Sequence, residues 1–395
     1  MRDIIEIKPN IFWIGAEDPQ LRVFDDLYPT EHGTTYNSYL IKGNGKIAII
    51  DTVKARFAGE YLDKVRQLTD LAAVDYIIVN HTEPDHSGSL APLLELCPNA
   101  QIYASQAAIT FLGNMIHTPL PSHVVKDGEV LDLGGKQLSF IIAPFLHWPD
   151  TMFTFLEQDG ILFTCDAFGA HYCGASLYND ENPDYSGEMK FYFDCLVRPF
   201  KDKVLSAIAK AGTLRFDMIC PGHGPLHRTD AMMSVQLYQE WSTQKTDGKK
   251  VVILYMSPHG STRKMAMAVA KGAAVAGVEV LACHFPENSR DEIRNLLEQA
   301  DALIFGVPTV NRDVPKPMWE VLADLSTVRL KASIGGVFGS FGWSGEACKM
   351  VEERLKGLHF QLPTPFVRAQ FVPRPEVLEQ CRALGQNVAE EALMK

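Results

Sequence analysis

Short apolar runs recur through the first 220 residues: KIAIID (46–51), DYIIVN (75–80), QIYA (101–104), QLSFIIA (137–143), ILFTC (161–165) and FDMIC (216–220). Their brevity and their β-branched and aromatic content predict strands, and amphipathic patterns such as AGEYLDKVRQL between them predict helices. Further on, VVILYM, VEVLACHF, ALIFGV and ASIGGVFG are separated by helix-like segments of about ten to twenty residues. That regular alternation predicts a parallel, doubly wound sheet. A polar stretch, STQKTDGKK (242–250), lies between the helical pattern TDAMMSVQLYQEW and the strand VVILYM. It marks the expected boundary between two α/β domains, 1–246 and 247–395.

Composition narrows the class. The chain has 395 residues, 46% of them hydrophobic and 22% charged, and it contains no long apolar run. A soluble protein without a membrane span is expected, and the opening MRDIIEIKPN has no leader pattern, so the expected location is cytoplasmic. Eight cysteines are scattered without a C-x-x-C pair, which argues against a disulfide framework, a zinc ribbon or a cysteine-held iron centre. The net charge of −11 is uneven: 19 basic residues face 31 acidic ones in residues 1–246, and 18 face 17 in residues 247–395. The acidic surplus disfavours a nucleic-acid partner and is compatible with carboxylates that ligate a cation.

Directly after DYIIVN comes HTEPDH, which packs His81, Glu83, Asp85 and His86 into six residues. Imidazole with carboxylate suits Fe, Mn or Zn, and the absence of thiolate argues against a soft-metal site. Three more residues of ligand type stand just past apolar runs: His147, Asp166 and His223. Loops at strand ends are where ligands collect in α/β sheets. His171 and, less directly, His32 and Tyr36 are placed by the sequence within reach of such a pocket, whereas His227, four residues beyond His223, is expected at the surface or behind a ligand.

In the second half, VVILYM runs into SPHGSTRKMAMAVAKG, where hydroxyls of Ser257, Ser261 and Thr262 and the start of a helix can bind an anion. The chain has no G-x-G-x-x-G after this strand and no G-x-x-x-x-G-K-[ST] anywhere, which points away from dinucleotides and nucleoside triphosphates. Two further loops, GVPTVNRDVPKPM (306–318) and GSFGWSGEA (339–347), suit a mononucleotide, with glycines admitting a flat ring and Trp343 able to stack on it.

The cluster HTEPDH resembles the H-x-H-x-D-H signature of the metallo-β-lactamase superfamily, an αββα sandwich, with Glu83 in place of the second histidine. Together with LHWPD (146–150), DAFGAHYC (166–173) and PGHGP (221–225), it looks like the flavodiiron, or A-type flavoprotein, family over essentially the whole chain. The resemblance implies an N-terminal metallo-β-lactamase-like αββα sandwich and a C-terminal flavodoxin-like sheet. It implies one iron on His81, Glu83 and His147, a second on Asp85, His86 and His223, with Asp166 and an oxo or hydroxo group bridging them. His171 is then expected in a catalytic role beside the pair. Gly222 stands where the family usually has Ser or Thr. The same resemblance maps an FMN phosphate to Ser257, His259, Gly260, Ser261 and Thr262, and its ring to Pro308, Thr309, Asn311, Ser340, Gly342, Trp343 and Gly345. Glu346 stands at a place often glycine in the family, and its carboxylate is expected to lower the flavin potential.

The resemblance implies an oxidoreductase that reduces O2 to water, NO to N2O, or both, with O2 narrowly preferred. It also implies an external electron donor such as rubredoxin or a reduced deazaflavin, and a head-to-tail homodimer or a dimer of dimers. A metallo-β-lactamase-type hydrolase and a non-enzymatic redox carrier or sensor are the rival readings.

Overall fold

The computed structural model describes residues 2–243 and 248–395. The chain forms two compact units, 1–243 and 244–395; the boundary expected at 246/247 lies outside the described residues.

The first unit contains two sheets. One has seven strands in the order Ile5–Lys8, Ile11–Trp13, Tyr39–Lys42, Ile47–Ile50, Tyr76–Val79, Gln101–Ala104 and Ser122–Val124. Its first four strands pair antiparallel and its last three continue in parallel. The other runs Val130–Asp132, Gln137–Ile142, Met152–Leu156, Ile161–Cys165 and Met218–Pro221, antiparallel except for the last pair. Alternation sends half of each strand inward. Ile11, Trp13, Ile41 and Ile78 of the first sheet thus share one core with Leu138, Phe140, Met152 and Phe163 of the second. The outward faces are covered by helices: Tyr61, Val65 and Leu93 pack on the first sheet, and Met189, Val204, Ala207 and Tyr238 on the second. The result is the expected αββα sandwich. Several strands, among them Ile11–Trp13 and Met152–Leu156, were not among the apolar runs singled out from sequence. The first is too short to show a period, and the second is buried along its whole length, so it has no alternation.

The second unit is a five-stranded parallel sheet, ordered Val278–His284, Lys249–Tyr255, Ala302–Pro308, Ile334–Phe341 and Val367–Gln370. Numbered along the chain, this is the 2-1-3-4-5 order of flavodoxin-like sheets. The helices Ser261–Ala273 and Pro375–Met394 lie together on one face, sharing a core with Val251, Ile253 and Ile304.

Those two helices approach so closely that a Cβ on Gly385 would overlap the Val269 carbonyl oxygen, and one on Gly272 the Arg382 carbonyl oxygen. Neither glycine has a positive φ, so the need is for space and not for conformation. Ala in place of Gly within a helix ordinarily stabilises by roughly 0.5–1 kcal/mol. Gly385→Ala is expected to do the reverse, costing about 1–3 kcal/mol through overpacking. Chemical denaturation followed in the second unit would show it; a stabilised variant would mean that the helices can separate freely.

Candidate metal centre and flavin cradle

The seven residues expected as ligands come from four loops at one edge of the sandwich. His81 and Glu83 follow Tyr76–Val79; His147 follows Gln137–Ile142; Asp166 follows Ile161–Cys165; His223 follows Met218–Pro221. Pro84 opens a one-turn helix, Pro84–Ser87, in the position where its missing N–H costs nothing. Glu83, just before it, has extended backbone, and its carboxylate lies beside both His81 and His147. The turn then directs Asp85 and His86 elsewhere. Non-glycine residues with positive φ, namely Phe145, Cys165 and Phe168, flank His147 and Asp166, a strain of the kind found where a loop must aim a side chain.

These residues converge as two groups, His81–Glu83–His147–Asp166 and Asp85–His86–His223. In the first, Glu83 Oε2 lies 2.9 Å from His147 Nε2 and 3.3 Å from His81 Nε2. In the second, Asp85 Oδ2 lies 3.0 Å from His223 Nε2 and 3.6 Å from His86 Nε2. Asp166 serves both. Its Oδ2 lies 3.3 and 3.5 Å from His81 and His147, and its Oδ1 lies 3.0 and 3.5 Å from His86 and His223. Asp85 Oδ1 and Oδ2 and Asp166 Oδ2 are buried without a hydrogen-bond partner among the described residues. Carboxylate oxygens that crowd imidazole nitrogens without hydrogen-bond alignment are arranged around common points, as donors surround ions. The residues fit a pair of hard metal ions. Cys165 also lies close to His86 and Asp166, but burial, reinforced by Asp51 and Asp166, pushes its thiol well above the ordinary range. Nitrogen and oxygen remain as the donors.

Electrostatics show what the pocket demands. Burial would neutralise Asp166, yet His86, His81 and His147 hold it well below the usual carboxylate range. Burial would likewise discharge the imidazoles, yet hydrogen bonds to Asp150 and Glu83 raise His81 well above 6.5, and Asp85 and Asp166 raise His86 to about 9. Buried carboxylates require positive charge, and in the metal-free chain protons on imidazole supply it.

A supporting layer escaped the sequence reading. Asp150 Oδ2 stands 3.1 Å from His81 Nδ1 and accepts from the Thr82 N–H at 2.7 Å and hydroxyl at 2.8 Å. A carboxylate placed behind an imidazole in this way fixes the ring's orientation and raises its basicity. His223 Nδ1 is 2.6 Å from the Thr35 carbonyl oxygen. The Tyr192 hydroxyl donates to Asp166 Oδ1 at 2.9 Å. Asp150 closes the motif LHWPD, a signal that could have found it; Tyr192 comes from a distant helix and carries none.

His171 is buried beside this centre, its ring 5.2 Å from that of His223 and 4.0 Å from that of Phe24, with Nδ1 3.1 Å from Thr34 Oγ1. Burial first, then the neighbouring His223, keeps it well below 6.5 and so neutral. Tyr36 places its ring 5.6 Å from His223 and buries a hydroxyl that has no partner among the described residues. His32 turns outward to Glu188, at 3.2 Å. His227 is neither at the surface nor against a ligand: it is 4% exposed and its Nε2 is 3.1 Å from the Phe168 carbonyl oxygen, with burial lowering it to about 4.

In the second unit, a cavity of about 470 Å³ is lined by Ser257, His259, Ser261, Thr262, Pro308, Thr309, Ser340 and Gly342, together with Phe341, Phe371 and Val372 among others. Its size is that of a small-molecule site. Ser261 starts a thirteen-residue helix, whose first amides suit a phosphate, and the Thr262 and Ser340 hydroxyls lie 2.8 Å apart. Polar donors at one end and apolar walls at the other fit a flavin mononucleotide. Gly260, Asn311, Trp343 and Gly345 are not among the lining residues. Gly260 caps the helix at φ 82°, and Trp343 is 70% exposed with the Arg312 guanidinium over its ring. Phe371 and Val372, which the sequence reading missed, supply the apolar wall from beyond the last strand. The Glu346 carboxylate folds back on its own loop, accepting from the Gly345 N–H at 2.9 Å.

The raised imidazoles have a consequence for metal uptake. His86 rises from 6.5 to about 9 on folding, so its contribution to the metal-free chain is complete below about pH 6.5 and is lost as pH rises through 9. Metal ions bind imidazole only after its proton has left. Fe(II) uptake at pH 7.5 is therefore expected to release protons, measurable by calorimetry in two buffers of different ionisation enthalpy. Heats independent of buffer would show that the imidazoles were already neutral.

Comparison with known proteins agrees with this geometry. Residues 34–224 match the family model described as ODP family beta lactamase, and residues 253–385 match Flavodoxin. The chain is 38% identical to "Flavo-diiron protein FprA2" of Clostridium acetobutylicum, covering 98% of this chain and 99% of the relative. It is 36% identical to "Nitric oxide reductase" of Moorella thermoacetica, again over 98% and 99%. The solved rubredoxin oxygen:oxidoreductase of Desulfovibrio gigas superposes with a TM-score of 0.71 at 32% identity, over 99% of each chain. With a sandwich that gathers two candidate metal-ligand groups around one aspartate, a flavodoxin-like unit following it in sequence and relatives matched over nearly their whole length, the chain belongs to the flavodiiron, or A-type flavoprotein, family.

Proposed function

We propose that this protein reduces O2 to water, NO to N2O, or both, at an iron pair held by the first unit, with electrons passed through an FMN held by the second. The observation that carries the reading is the Asp166 carboxylate, whose two oxygens face two separate donor groups. His81, Glu83 and His147 would hold one iron and Asp85, His86 and His223 the other, with Asp166 contributing to both. When bound, the iron pair supplies a two-metal site for a diatomic molecule and the FMN supplies single electrons.

The chain's own residues do the rest. Glu83, Asp85 and Asp166 offset much of the metals' positive charge, and the four imidazoles complete the site as neutral donors. Asp150 fixes the His81 ring and Tyr192 fixes the bridging carboxylate, so the two positions are held at a set spacing before any substrate arrives. Neutral His171, packed between Phe24 and Tyr192, walls the pocket beside His223 and is the residue we assign a catalytic role. In the second unit, Ser257, Ser261, Thr262 and the helix start would hold the phosphate, while Pro308, Phe341 and Phe371 would enclose the ring.

The relatives support both gases, one being named for nitric oxide and the solved one for oxygen. We place O2 narrowly first. The donor is external, because the chain has neither a C-x-x-C pair nor a dinucleotide fingerprint; rubredoxin, named in the Desulfovibrio relative, or a reduced deazaflavin fits that role. No helix among the described residues is long and apolar enough to cross a membrane, and we assign a cytoplasmic location.

Protein purified from iron-replete cells is expected to hold two irons and one FMN per chain and, given reduced rubredoxin, to consume O2 or NO. NADH alone should leave the flavin oxidised. Asp166→Ala should lose iron and turnover but keep FMN. Stoichiometric zinc with negligible iron, or ester and amide hydrolysis in place of gas consumption, would favour the hydrolase reading.

We further propose a head-to-tail homodimer, in which the flavin of one chain serves the irons of its partner. A 246-residue domain has a radius of gyration of about 18 Å, enough to separate cofactors within one chain beyond rapid electron transfer. Pairing an Asp166→Ala chain with a Thr262→Asp chain should restore roughly half of native turnover, although each homodimer is inactive. A dead heterodimer with verified cofactors would place the transfer within one chain.

A further inference from the structure

His223 stands on a loop, Pro221-Gly222-His223-Gly224, that leaves the strand Met218–Pro221. All four residues are buried, so their backbone carbonyls must find partners inside the protein. The His223 carbonyl accepts from the Ala170 N–H at 3.3 Å. The other three are met by one residue, Asn37. Its backbone N–H donates to the Gly222 carbonyl at 2.8 Å, and its side-chain Nδ2 donates to the Pro221 and Gly224 carbonyls, at 2.9 Å each. A single nitrogen thus joins the chain on either side of His223.

Asn37 is itself fixed. It is completely buried, and its Oδ1 accepts from the Trp13 indole N–H at 2.9 Å, which settles which end of the amide faces the loop. Gly15 lets the neighbouring chain lie against it, for a Cβ there would stand 2.3 Å from the Tyr36 carbonyl oxygen and 3.0 Å from Asn37 Cα. Both amide hydrogens and the amide oxygen are therefore engaged. No other side chain offers this set: Asp has the shape without the hydrogens, Ser has one hydrogen, and Gln carries the amide one methylene farther out. Other bonds support one side of the loop each. The Tyr39 hydroxyl donates to the Pro221 carbonyl at 2.8 Å, and the Thr35 hydroxyl accepts from the Gly224 N–H at 2.8 Å. Without Asn37 the Gly224 carbonyl is left with the Thr35 hydroxyl at 3.4 Å. A peptide that turns to find a better donor takes the His223 ring with it, off its position 3.0 Å from Asp85 Oδ2.

We infer that Asn37 is a positioning residue: taking no part as a ligand, it holds the two sides of the His223 loop together and so sets how firmly a metal is bound at the Asp85–His86–His223 position. This rests on the diiron reading above. The His81–Glu83–His147 position, whose ligands come from other loops, should not depend on it.

Iron-loaded protein dialysed against increasing chelator separates the two levels. The native chain should hold two irons, and failure to do so would count against the diiron reading itself. Asn37→Ala and Asn37→Ser should each release one iron at a chelator concentration at least about tenfold lower than the native chain, the scale on which outer partners of metal ligands act, and keep the other as the native chain does. Two irons held as in the native protein would overturn the inference. Val204→Ala, a truncation of a buried side chain in a helix that carries no ligand, should melt lower and still hold both irons; equal iron loss there would mean that general loosening suffices, and would overturn it too. His223→Ala supplies the signature of a role exerted through that ring. The iron left in Asn37→Ala should give the same Mössbauer spectrum as the iron left in His223→Ala, and Asn37→Ala/His223→Ala should hold iron as His223→Ala does. A further loss in the double variant, a remaining iron of different spectrum, or release of both irons together would place the effect of Asn37 elsewhere. If neither Asn37 variant folds while His223→Ala does, the amide serves the whole frame and the inference is overturned.

Discussion

Three carboxylates, Glu83, Asp85 and Asp166, share one pocket at the edge of the sandwich, and their mutual repulsion is the constraint that the rest of the site answers. Asp85 and Asp166 are almost completely buried, where an uncompensated carboxylate is costly. Four imidazoles surround them, and in the metal-free chain two of those imidazoles are driven to hold protons that burial alone would strip. A pair of metal ions answers the same demand with more charge at fixed points. The acidic surplus of the first half of the chain is thus partly a matter of chemistry, concentrated where strands end.

Holding such a cluster open needs a frame that does not yield. The two sheets press Trp13, Tyr39, Phe140 and Phe163 into a common core, and helices on both outer faces prevent the sheets from bending. The ligand loops then depart from rigid strand ends, and the left-handed residues Cys165 and Phe168 turn the chain on either side of Asp166. Each such residue costs about 1 kcal/mol or more, an outlay sustained by the packing beneath.

The second unit meets a different requirement. A parallel sheet collects its loops at one end, and three of them build the cavity from small and hydroxyl residues. The close packing of Gly272 and Gly385 between helices keeps the helix that begins at Ser261 seated on the sheet. The end of the cavity at the helix start is therefore tied to the core, while the aromatic end, formed by Phe341 and Phe371, lies toward solvent, with Phe371 64% exposed.

Much of this was written in local sequence. Ligand types clustered in HTEPDH, single ligands just past apolar runs, and a Ser/Gly/Thr loop opening a helix are all short-range signals, because strand ends and helix starts are local features. The parallel, doubly wound character of the second unit followed from its regular alternation for the same reason, whereas its 2-1-3-4-5 strand order came only with the structure. What only the tertiary structure decided involves residues with no sequence neighbour in common. Tyr192 reaches Asp166 across 26 positions and Asp150 reaches His81 across 69; Phe371 enters the cavity from a loop after the last strand. Trp343, singled out because a tryptophan in a glycine loop suits a flat ring, points into solvent, since composition specifies what a side chain can stack on but not where its loop directs it. The division of the seven candidate ligands into two groups that share Asp166 is likewise geometric. Sequence spacing separates His81 and Glu83 from Asp85 and His86 by a single proline turn, but the positions of His147 and His223 on opposite sides of one carboxylate exist only once two sheets have closed on a common core.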